Sequence, residues 1–167
     1  MDEFSFLETT AEISIAFAGF VSIFLVLARR DGSFSPDYAL TIRSILMSSI
    51  ICLGASAAPL ILASLGSSGP ALWRSASVGV LAAFLGLTFY MSVNRRKLPS
   101  EQRGTAFARV GWSLATLAIL VLAANTLGRP IAPNPGLYLL SLWLVLGIAS
   151  TNFLDLVFRG VLGGAKA

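Results

Sequence analysis

Long stretches of this chain carry no charge, and several of them are close to the length of a membrane crossing. Charged residues make up 12% of the 167 and are gathered into short clusters, while 56% are hydrophobic. An ordinary soluble domain carries about 25% charged residues. A bilayer core takes roughly 20 apolar residues per helix, and a helix suits that setting because it satisfies its own backbone where no water can. Five segments fit: about 11–28, 36–65 (apolar from Ile45), 71–93, 110–127 and 137–158. The expected fold is all-α, a polytopic transmembrane helix bundle of five spans forming a single transmembrane domain over 1–167.

The polar segments supply the punctuation. Ser5 with Glu8, or Thr9 with Glu12, fits the S/T-x-x-E capping box, so the first helix is expected to begin at one of these. Ser35 is a good N-cap, Pro36 suits the first helical position, and Asp37 complements a helix N-terminus. GSSGP reads as a tight turn, NRRKLPSEQRG as a polar connection with a Pro-Ser turn, and GRPIAPNPG as a connection because its prolines break a helix. The N-terminus does not read as a signal peptide: MDEF has no basic residue, and ARRD stands where a small-residue cleavage site is expected.

An odd number of spans puts the termini on opposite sides, and the basic residues choose the orientation. Arg29, Arg30 and Arg43 flank the first connection, Arg95, Arg96, Lys97, Arg103 and Arg109 the third, and Arg159 and Lys166 lie near the C-terminus. Only Arg74 and Arg129 fall on the other side, together with the N-terminal acids Asp2, Glu3, Glu8 and Glu12. The positive-inside rule then predicts the N-terminus out and the C-terminus in. The net charge of +4 belongs to this asymmetry and not to nucleic-acid binding.

Chemistry-bearing residues are sparse. There is no histidine, and Cys52 is the single cysteine, which argues against imidazole-based metal or haem sites, thiolate clusters and an intrachain disulfide. Lys97 and Lys166 lie in polar segments, away from any buried Schiff base. No nucleophile elbow, H-E-x-x-H or phosphate-binding Gly-rich loop is found. The expectation is a protein that is not an enzyme and has no cofactor and no bound metal.

Three polar groups stand out. Glu12 lies about 24 Å above Ala28 at ~1.5 Å per residue, with Glu8 one turn further out on the same face. The pair reads either as an interfacial helix cap or as an acidic entrance facing a partner subunit or a cation path. In the fifth span, Asn152, Asp155 and Arg159 share a face, and Asp155 and Arg159 form an i, i+4 pair. Asn152 is expected to face protein or water, since an amide facing lipid is costly. In the second span Ser44, Ser48, Cys52, Ser56, Pro59 and Ala63 form a stripe of small side chains, a helix seam or the lining of a narrow wet path. Pro59 removes the backbone bond to Ala55. Ser75, Gly79 and Ala83, with Ala82, Gly86 and Tyr90 alongside, form a similar seam on the third span.

The strings AEISIAFAGF and RRDGSFSPDYALTIR, and the WRSAS of Trp73 to Ser77, resemble small uncharacterised bacterial integral membrane proteins over about the first half of the chain. The resemblance implies a bacterial inner (cytoplasmic) membrane and no particular activity. The functional expectation is a homo-oligomeric channel or carrier for a small ion, with Glu8, Glu12, Asn152 and Asp155 along its polar path. The competing expectation is a non-conducting accessory or scaffold subunit that docks another membrane protein. The partners expected are membrane lipid, further copies of the chain and in the second case that other protein.

Overall fold

A computed structural model of the chain describes residues 3–28, 35–99 and 106–163. Arg29, Arg30, Arg103 and Lys166, which enter the orientation argument, lie outside the described residues. Five helices make up the fold: α1 Glu3–Ala28, α2 Pro36–Ser64, α3 Gly69–Arg96, α4 Ala106–Leu127 and α5 Pro135–Gly163. All five are long and apolar enough to cross a membrane, the arrangement of a multi-pass membrane protein.

The helix ends follow local chemistry more than apolar edges. The Ser35 hydroxyl accepts the Tyr38 amide and Pro36 opens α2, so that cap stands where its residues indicate. Neither capping box starts α1, which is already helical from Glu3, and the Thr9 hydroxyl donates within it to the Ser5 carbonyl. The reason is packing: Leu7 is buried and the Phe6 ring lies 5.5 Å from that of Trp143, so the segment before Thr9 gains by continuing the helix. At the foot of α4, Gly128 has φ 67 and its amide bonds the Ala124 carbonyl, the left-handed ending that glycine adopts without strain.

The central pair is α2 and α5, which run antiparallel. On one side α1 packs against both; on the other, α3 covers α2, α4 covers α5, and α3 meets α4. Large apolar side chains also cover the outside, including Phe20, Ile23, Ile50, Ile61, Phe89 and Leu120, each more than half exposed. An apolar skin of this extent would drive a water-soluble chain to aggregate and is what a bilayer solvates. Arg43, Arg95, Arg96, Lys97, Arg109 and Arg159 gather where α1, α3 and α5 finish, hereafter the basic end. Arg74 and Arg129 belong to the opposite end.

The small seam expected on α3 is not packed within the subunit. Ser75, Gly79, Ala82, Ala83 and Gly86 are all exposed, and nothing lies within 4 Å of where a side chain at Gly79 or Gly86 would begin. The opposite face of α3, with Leu72, Trp73, Val80, Phe84 and Leu87, buries more apolar surface and takes the interior.

Candidate functional site

The stripe on α2 faces inward. Ser44, Ser48, Cys52, Ser56 and Pro59 are all buried, whereas Ala63, near the end of the helix, is exposed. Three contacts along this face join α2 to α5: the Asn152 amide nitrogen donates to Ser44 Oγ at 2.9 Å, Cys52 Sγ lies 3.7 Å from the Leu142 carbonyl, and the Tyr138 hydroxyl donates to the Ala55 carbonyl at 2.7 Å. The last contact follows from Pro59, which has no N–H to offer Ala55 four residues before it. Tyr138, fully buried, supplies the missing donor from another helix. Sequence reasoning identified the orphaned carbonyl without its partner, because no local pattern links Ala55 to Tyr138 across 83 residues.

The polar residues of α5 reach further than a local pair. Arg159 donates to Asp155 through Nε at 2.9 Å and through a terminal nitrogen at 2.6 Å. Its other terminal nitrogen donates to Asp37 at the start of α2. Asp37 and Asp155 are each 6% exposed, so two buried carboxylates share one guanidinium and clamp the two helices at the basic end. Asp37 was expected only to complement a helix N-terminus; the clamp gives it a second role.

Between these features lies a chamber bounded by α2, α3, α4 and α5, with about 60 Å³ of space for the centres of water-sized molecules. Asp37, Arg95 and Ala108 stand at the mouth, on the basic end, and Thr41, Ser44, Thr88, Trp112 and Asn152 line the middle. Ser48, Phe84, Ala115 and Ile148 form the inner end, roughly 16 Å in, at ~1.5 Å per residue along α2. Beyond it the opposite half of the bundle is filled by Leu7, Ala55, Trp73, Leu122, Tyr138 and Leu142, with the Trp73 and Tyr138 rings 5.6 Å apart. No described residue of that packed half lines the chamber.

Ser48 is 1% exposed, lines the inner end, and its Oγ has no hydrogen-bond partner. Most buried polar atoms are paired, so an unpaired hydroxyl beside a cavity marks a place where a bound molecule can contribute the missing bond. Ser49, its neighbour, and Thr126, at the far end of α4, also have unpaired hydroxyls, but neither lines the chamber.

Glu8 and Glu12 do not share this interior. Both are exposed on the outer surface of α1, because Leu7, Thr10, Ser14 and Val21 take its inward face. Among the described residues neither acid forms an ion pair. Arg74, a candidate partner on that side, donates instead to the Thr126 and Leu127 carbonyls at 3.0 and 3.4 Å and caps α4. Neither acid is among the described residues that line the chamber with Asn152.

Sequence reasoning also missed Asn125, which is fully buried. Its amide donates to Ser77 at 2.8 Å and accepts the Asn134 backbone amide at 2.9 Å, while Asn134 caps α5 through the Leu137 amide. This network fixes the proline-rich connection and holds α3, α4 and α5 together at the closed end. No family model, curated protein or solved structure matches the chain.

Proposed function

We propose that the chain is a carrier that works as a homo-oligomer in a bacterial inner membrane, each subunit moving a small water-soluble species through its own vestibule. One observation carries the reading: the described lining of the chamber runs from the basic end to Ser48, with packed aromatic and aliphatic side chains beyond. A channel needs a passage continuous through the bundle, whereas a carrier exposes its site to one side at a time. Under the positive-inside rule the mouth faces the cytoplasm, so this is the inward-open state. The parts a carrier needs are present at both levels. The Asp37–Arg159–Asp155 clamp joins α2 to α5 at the mouth, and Pro59, where α2 lacks a backbone bond, sits beside the closed half.

Purified protein in proteoliposomes tests this by counterflow. A carrier gives saturable uptake that accelerates when unlabelled cargo is loaded on the opposite side; a channel gives flux without such exchange. Flux of neither kind, over sodium, chloride and uncharged solutes, overturns the transport reading.

A second reading, an accessory subunit that docks another membrane protein, draws on the open small-residue face of α3. Small residues let a neighbouring helix approach closely. Co-purification of one defined membrane protein, lost on Gly79→Leu, together with absence of flux, is the result this reading expects.

A further inference from the structure

We infer that the vestibule takes an uncharged solute bearing several hydroxyl or amide groups, of the chemistry of a small polyol, and not an ion. The inference rests on the carrier reading only for transport; binding stands separately.

The lining separates charge from depth. Among the described residues its two formal charges, Asp37 and Arg95, have opposite sign and stand at the mouth, and the Asp37 carboxylate already accepts from Arg159. From Thr41 inward the lining carries no charge. An ion drawn to the inner end would lose its water and find no countercharge there, which costs far more than desolvating a hydroxyl that gains a hydrogen bond.

The neutral groups are spread around the wall. Thr41, Ser44 and Ser48 lie on α2, Thr88 on α3 and Asn152 on α5. Thr41 and Thr88 each donate to a carbonyl of their own helix at 3.1 and 2.8 Å, which leaves their oxygens as acceptors. Ser44 accepts from the Asn152 nitrogen, which leaves the Ser44 hydrogen and the Asn152 carbonyl oxygen to face a ligand. Ser48 offers a donor and an acceptor, both unused. Polar groups on three separate walls match a molecule with polar groups along its length, not an amphiphile with one head. The rings of Phe84 and Trp112 supply apolar surface for its C–H faces, in the usual proportion of a small-molecule site: mostly apolar, with a few placed polar groups.

The test uses the full chain in nanodiscs of phosphatidylethanolamine and phosphatidylglycerol, with tritiated sorbitol as the probe. Competitors are gluconate and glucamine, which place a carboxylate or an ammonium at one end of the same six-carbon chain, and 1-hexanol, which has a single hydroxyl. Saturable sorbitol binding is expected, with all three competitors weaker by about tenfold or more, the equivalent of one lost hydrogen bond. Ser48→Ala is expected to weaken sorbitol binding by about tenfold, and Ala115→Phe, which fills the inner end, to abolish it. The helical circular dichroism signal of each variant confirms that it is folded. Absence of saturable binding, equal competition by a charged analogue or by hexanol, or unchanged affinity in Ser48→Ala overturns the inference. Sodium flux without sorbitol binding overturns it and leaves the carrier reading intact. Sorbitol binding without transport of any solute upholds the site and removes the carrier reading.

Discussion

At the scale of single residues, Tyr138 and Pro59 show how a break in one helix is repaired from another. Pro59 leaves the Ala55 carbonyl without its helical partner, and the Tyr138 hydroxyl bonds it at 2.7 Å inside the closed half of the bundle. Tyr138→Phe keeps the ring against Trp73 but strands the carbonyl, at an expected cost of about 1–3 kcal/mol. In a Pro59→Ala background the helix regains its own N–H, so the same substitution is expected to cost much less. A double-mutant cycle read by thermal unfolding in detergent checks this, and equal costs in both backgrounds would show that the two residues act independently. The sequence made half of this legible, since proline marks the orphaned acceptor four residues earlier. It did not indicate the donor, because Tyr138 is 83 residues from Ala55 and no local pattern spans that distance. Asn152 was legible for a related reason: an amide among apolar residues must face something polar, although Ser44 as its partner emerged only from the packing.

At the scale of elements, the clamp at the basic end sets how α2 and α5 meet. Two carboxylates at 6% exposure share Arg159, so the three groups are unequal in consequence. Arg159→Gln leaves both carboxylates buried without their cation, and breaking a buried pair in this way typically costs 3–5 kcal/mol. Asp155→Asn leaves Arg159 paired with Asp37 and is expected to cost clearly less. Melting temperatures of the two variants decide it, and a larger loss for Asp155→Asn would mean that Asp37 contributes little to the clamp. The i, i+4 half of this arrangement was visible in the spacing of Asp155 and Arg159. The half contributed by Asp37 was hidden, because an acid in the first turn of a helix is already accounted for by the helix dipole. Helix limits were legible to a similar degree: apolar runs mark the part of each helix that suits a bilayer, while α1 and α3 extend past those runs wherever the next turn still finds packing or a cap.

At the scale of the molecule, the number of helices was legible and their arrangement was not. Each helix is apolar on most of its surface, so its pattern does not say which face meets a neighbour; the α2 stripe and the outward seam of α3 look alike in sequence and end on opposite sides of the protein wall. Orientation rests on charge, with ten basic residues assigned to one side and two to the other. A phosphatase reporter fused at Lys166 is therefore expected to be inactive in the periplasm, and activity there would reverse the assignment. In the proposed oligomer, Glu12 lies between copies. Its carboxylate is on the outer surface of α1, nine residues inside the start of that helix. A charge at the centre of a membrane helix costs roughly 3 kcal/mol by the milder scales and less towards its end, so this is the upper bound for Glu12. Covering it with a second copy removes that cost from the assembled form, which is worth at most about two decades in the association constant. Glu12→Leu makes the separated subunit comfortable in lipid and is expected to shift the protein toward monomer, while Glu12→Gln, still polar, retains more of the assembly. Native mass spectrometry or crosslinking across a range of protein-to-lipid ratios reads the equilibrium directly. If Glu12→Leu assembles as the unmodified chain does, the acidic face of α1 is not the contact between copies, and the carboxylate reaches water by another route.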